Sequence, residues 1–153
     1  LGRTTVCPVG EDEDAMEIDE HMTFFCLIVG SRTYDDYETF SKIVDKALSS
    51  KQGQEIIIVS GGAKGADQMA ERYAKEHGYH LIMEADWDNL GKKAGPVRNE
   101  QMHRFISHFP NRGALAFWDG KSRGTATNFK LAEKYGNQIR VYNYIEKRFA
   151  VHS

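Results

Sequence analysis

Apolar positions in this chain fall into short, β-branched runs separated by longer stretches of helical period. Residues 24–29, FFCLIV, form an unbroken run of strand length that stops at Gly30-Ser31-Arg32, the pattern of a strand buried on both faces. From Asp35 or Asp36, either suited to an N-cap, to about Ser50, the residues Tyr37, Phe40, Val44, Ala47 and Leu48 recur at helical spacing. After the break Lys51-Gln52-Gly53, residues 56–59 predict a second strand. Ala66, Met69, Ala70, Tyr73 and Ala74 then predict a helix that Gly78 ends. Its face is rich in small residues, so it can lie close to a sheet.

Residues 79–85 predict a third strand. The polar loop DWDNLGKKAGP leads to Pro96, suited to the start of a third helix with Met102, Phe105, Ile106 and Phe109 on its buried face. The turn Pro110-Asn111-Arg112-Gly113 precedes a fourth strand at 114–118, the loop DGKSRG, a helix at about 125–135 and a fifth strand at 139–145. Strands alternate with helices, and no two strands are joined by a hairpin turn. We therefore expect an α/β fold, a Rossmann-like three-layer sandwich with a mostly parallel five-stranded (or slightly larger) sheet.

In such a sheet the ligand binds outside the carboxyl ends of the strands, where strand order reverses. The loops at that end are Gly30-Ser31-Arg32, SGGAKGAD at 60–67, residues 86–98 and residues 119–125. All are polar, glycine-rich or basic. In the second, Gly61, Gly62 and Gly65 leave amides uncovered at a helix start, where the helix dipole favours an anion. Ser60, Ala66 and Asp67 complete it; Asp67 either favours the dipole or takes a ribose hydroxyl. No Gly-Lys-Ser/Thr closes this loop, which excludes a Walker A reading. In WDGKSRGTATNF, Ser122, Gly124 and Thr125 offer hydroxyls and amides for a second phosphate or a sugar. Thr125 is also an N-cap candidate. Trp118 either stacks on a base or packs in the core, and Asp119 can accept hydroxyl or amino hydrogen bonds. The guanidinium forks of Arg32 and Arg98 match phosphate geometry, and Asn99 lies beside them.

Charge is unevenly spread over the 153 residues: residues 1–20 hold seven acids against one arginine, leaving residues 21–153 at +4 in a chain of net −2. We expect residues 1–22 to be an acidic, solvated and poorly ordered tail, the sharper alternative being that it shields the basic site or contacts a partner, and 23–153 to be one nucleotide-binding domain. Two cysteines and scattered histidines give neither a disulfide framework nor a metal site, so no metal and no cofactor are expected. The cysteine usage points to a reducing cytoplasm, and the lack of a long apolar run points away from membranes.

With these residues in view, the chain resembles the YspA-like branch of the SLOG superfamily, related to the lonely-guy phosphoribohydrolases and DNA-processing protein A. The resemblance covers residues 25–144 and rests on GSRTYDDYE, VSGGAKGADQMAERYAKEHG, DWDNLGKKAGPVRNEQM and FWDGKSRGTATNFKLAEKYG. It implies binding of a nucleotide or nucleotide-derived small molecule, and a homo-oligomer such as a dimer. In the phosphoribohydrolases a glutamate follows the second glycine motif; Asn128 stands there, and an amide is no general base. The alternative to binding or sensing is therefore a nucleotide N-glycosidase that uses Arg98 with Glu100, Asp119 or Asp67. A single-stranded nucleic-acid module ranks third, because the modest basic charge and the lack of an aromatic-interleaved basic face argue against nucleic acid as a partner.

Overall fold

A computed structural model describes residues 3–6, 16–19, 21–61, 65–83 and 94–150. The main sheet starts with β3 (Thr23–Gly30), preceded by β1 (Arg3–Val6) and β2 (Met16–Asp19). It continues through α1 (Tyr37–Leu48), β4 (Glu55–Ser60), α2 (Ala66–His77), β5 (His80–Met83), α3 (Ala94–Ile106), β6 (Arg112–Trp118), α4 (Arg123–Tyr135), β7 (Ile139–Asn143) and β8 (Arg148–Ala150). Strand order is β5-β4-β3-β6-β7-β8, parallel throughout except for β8. The order reverses between β3 and β6. There Ser31 N donates to Phe117 O at 2.9 Å and extends the ladder past the end of β3.

The central strands are apolar on both faces because both faces are covered. Cys26, Ile28, Ile56 and Ile58 pack with Phe40, Val44 and Leu48 of α1 and Ala70 and Tyr73 of α2. The alternate residues Phe25, Leu27, Val29, Ile57 and Val59 pack with Met102 and Ile106 of α3 and with Phe129 of α4. Asp36 caps α1 by accepting from Thr39 N, and the left-handed Gly78 and Gly136 close α2 and α4.

Two details depart from the sequence reading. A sixth strand, β8, pairs antiparallel with β7 across a tight turn in which Lys147 has φ 55°; three residues are too few to carry a strand period. The N-cap of α4 is Ser122, not Thr125: the Ser122 side chain accepts from Thr125 N. In the N-terminal segment, β1 and β2 pair antiparallel as a separate two-stranded sheet. Its β-branched RTTV and alternating MEID suit extended backbone.

Candidate functional site

At the β3–β6 switch point, the carboxyl end of β3 meets the starts of α2 and α4. Gly30 is there because α2 starts against it: a Cβ would lie 2.5 Å from the Cβ of Ala66. Gly65, at φ +78°, turns the chain into α2 so close to β3 that a Cβ would lie 2.4 Å from Ser31 O. Gly61 sits under Arg98, whose Nε would be 2.4 Å from an added Cβ and whose Nη1 donates to Gly61 O at 3.2 Å. Gly61 and Gly65, read in sequence as bare amides for an anion, and Gly30 beside them all have protein where a side chain would be. Gly62 lies outside the described residues, as does most of the loop before α3.

The β6–α4 turn is built differently. Asp119 accepts from Lys121 N at 2.8 Å and Ser122 N at 2.7 Å. Partial burial pushes its carboxyl up, but the backbone N–H groups of Ser122 and Lys121 outweigh this and hold it below the usual range. Ser122 Oγ meets Thr125 Oγ1 at 3.3 Å, and Thr125 Oγ1 meets Ser31 Oγ at 3.4 Å, so three hydroxyls bridge the starts of α4 and the crevice. Gly124 is exposed, and an added Cβ would have nothing within 4 Å. The open space at a helix N-terminus therefore lies here.

Two arginines flank the turns. Arg32 is exposed and lines a hollow of about 430 Å³ with Gly65, Gln68 and Arg72. Arg98 is 7% exposed; burial pulls its guanidinium below the usual range, the charge of Asp67 opposes this, and Arg32 adds to it. Asp67 is buried in the first turn of α2, and Ser60 Oγ donates to its carbonyl at 3.3 Å. Asn99 Nδ2 donates to Gly124 O at 3.5 Å. Trp118 is half-buried, edge-on to Phe129, with its indole N–H donating to Ser122 O at 3.0 Å. Its packing role therefore outweighs the base-stacking one.

Glu100 is not brought to the crevice. Its carboxylate meets Lys134 Nζ at 2.6 Å and Tyr135 Oη at 2.7 Å, in the last turn of α4, the far end from Ser122. Asn128 is buried at 1% exposure and fully engaged. Arg112 Nε donates to Asn137 Oδ1, which fixes that amide so that Asn137 Nδ2 donates to His103 O at 3.0 Å and to His103 Nδ1 at 3.2 Å. Nε2 of His103 must then carry the proton and donate to Asn128 Oδ1 at 3.0 Å. Asn128 Nδ2 in turn donates to the carbonyls of Gly124 and Thr125, each at 3.3 Å. Burial keeps His103 neutral, with its pKa lowered to about 4. A glutamate at 128 would turn carboxylate oxygens toward those carbonyls, so this environment suits an amide and leaves no general base at that position. Sequence reasoning left His103 among the scattered histidines that form no metal site. Its spacing with Asn99, Met102 and Ile106 on one face of α3 was the available signal.

Among the described residues, no group of three or more His, Cys, Asp or Glu side chains is placed to hold a metal ion, and no helix is long and apolar enough to cross a membrane.

A family model described as the YspA, cpYpsA-related SLOG family matches residues 26–89. Over 128 residues the chain is 38% identical to the Gene 61 protein of Mycobacterium phage D29, in an alignment covering 79% of this chain and 96% of that protein. The chain belongs to the YspA, cpYpsA-related SLOG family. Two solved structures share the fold of this SLOG chain. DNA processing protein A from Streptococcus pneumoniae aligns at TM-score 0.54 and 21% identity, covering 80% of this chain and 51% of that one. The same protein from Helicobacter pylori aligns at TM-score 0.57 and 19% identity, covering 92% and 80%. The SLOG chain thus spans about half the length of the S. pneumoniae protein.

The H. pylori structure is described for its single-stranded DNA binding mode, and this corrects the expectation that nucleic acid is not a partner. That expectation rested on a mild net charge averaged over the domain. A protein of this fold binds a strand, so the average is no ground for exclusion; the local field at the site governs.

Proposed function

We propose that the crevice between β3 and β6 binds the phosphate-bearing part of a nucleotide and holds it without cleaving it. The observation that carries this reading is the start of α4. Gly124 has open space where a side chain would be, beside the hydroxyls of Ser31, Ser122 and Thr125, with the exposed Arg32 nearby. Uncovered amides at the N-terminus of a thirteen-residue helix favour an anion, and the hydroxyls and guanidinium add donors of the right kind. Binding is favoured over hydrolysis because Asn128 is committed to His103 and to its own helix, and Glu100 to Lys134 and Tyr135. The nucleotide can be free or part of a single strand, since both present the same phosphate and sugar.

Thermal unfolding with a nucleoside monophosphate, ADP-ribose and a single-stranded oligonucleotide tests this. Ligand at 100 times Kd stabilises by about 2.7 kcal/mol, and no free base should be released. Stabilisation by the oligonucleotide alone, falling steeply with salt, assigns the strand form. If no phosphate-bearing compound raises the midpoint, the reading fails.

A further inference from the structure

On the α1 side of the sheet, the described residues leave a long trough beyond that helix. A cavity of about 550 Å³ lies between α1 and β7, floored by Leu115, Tyr142 and the half-exposed Phe149 and edged by Lys42, Lys46 and Arg140. A second cavity of about 350 Å³ shares Lys46, Ala47, Leu115 and Arg140 with it and continues to Phe24 and Lys51. No described residue lining either cavity is an acid. Lys46, Lys51 and Arg140 form no ion pair among the described residues, and Lys42 has only the exposed Glu38. An apolar floor with cations along its edges calls for an occupant that is acidic and partly apolar.

The chain itself carries such a segment. Residues 11–20, EDEDAMEIDE, hold seven acids and no base. They contain β2, whose sequence MEID alternates the apolar Met16 and Ile18 with acids. A two-stranded ribbon such as β1–β2 is marginal in water unless it packs on something. The segment also starts from the right place. Asn111 Nδ2 donates to His21 O at 3.2 Å, and Arg112, the next residue, lines the trough. Ten extended residues reach about 33 Å, whereas α1, along which the trough runs, has twelve residues and spans about 18 Å.

We propose that residues 11–20 dock in this trough, with Met16 and Ile18 on its apolar floor and the acids against Lys46, Lys51 and Arg140. A tether of this length keeps the segment at high effective concentration and makes the contact intramolecular. Docked, it neutralises the basic edge formed by Lys46, Lys51 and Arg140 and leaves the crevice at the strand ends free.

The test uses the full chain with Cys7→Ser and Ala15→Cys. A nitroxide then attaches at position 15, because Cys26 is buried and its thiol is pushed up to about 12. The amides of Ala47, Leu115 and Tyr142 should lose more than half their intensity. They should recover it in the Lys46→Glu/Arg140→Glu variant, whose changes are at the surface, and in ~1 M salt, where the Debye length is about 3 Å. Mixing nitroxide-bearing chain with isotopically enriched, unlabelled chain should leave those amides unchanged. Three results would each overturn the proposal: no broadening in the trough, broadening only in the mixed sample, or trough amides that shift with a single-stranded oligonucleotide while the nitroxide leaves them sharp.

Discussion

At the β4–α2 turn, each described glycine faces protein; at the β6–α4 turn, Gly124 faces open space. The first turn is held from above by the buried, charged Arg98, which lies on Gly61 and donates to its carbonyl. The second is held from below by two amides and a neutral imidazole, a chain anchored on Arg112 that runs through Asn137 and His103 to Asn128 and the carbonyls of Gly124 and Thr125. Two glycine-rich helix starts thus divide the labour. One is packed to bring α2 against β3, and the other keeps the backbone at Gly124 exposed.

Substitutions that fill each glycine's missing side chain break this contrast most directly. Gly65→Ala combines a positive φ with a Cβ 2.4 Å from Ser31 O, so it should lower unfolding free energy by about 3 kcal/mol in urea. The two braces should separate with acid. His103 titrates at about 4 in the folded chain and at the ordinary 6.5 when unfolded. The unfolded chain therefore takes up the proton first, and stability falls as pH drops from about 6.5 to about 4, by up to about 3 kcal/mol. A proton on Nδ1 would also face the Asn137 amide donor. His103→Gln should flatten that pH profile, while an unchanged slope would remove His103 as its cause. Gly61→Ala must displace Arg98 and should cost about 2 kcal/mol. In an Arg98→Ala background the same change should cost less than half as much, and full additivity would mean that the two residues are not coupled.

Strand and helix positions were legible because β-branched runs and helical spacing report burial directly: Phe40, Val44 and Leu48, or Ala70, Tyr73 and Ala74, are where the period put them. The family was legible from four motifs in order. What each glycine faces was not. Gly61 and Gly124 look alike in a chain of letters, and only the fold brings Arg98 over one and nothing over the other. The cap of α4 was misplaced at Thr125 because a hydroxyl there fits a cap as well as the one on Ser122, three positions earlier. The turn that Asp119 closes on Ser122 N decides it. The His103 network was hidden because its members are 25 and 34 positions apart. Charge misled most: a net count over residues 21–153 says nothing of where Arg32 lies relative to Gly124.

The smallest structural change tests the central claim most directly. Gly124→Met places a helix-favouring side chain into open space, so stability should change by less than about 1 kcal/mol. The same side chain would cover the amides at the start of α4, so affinity for whichever phosphate-bearing nucleotide or strand stabilises the wild type should fall at least tenfold, about 1.4 kcal/mol. Calorimetric titration of the folded variant reads this. Wild-type affinity in Gly124→Met would contradict the assignment of the ligand to the β6–α4 turn.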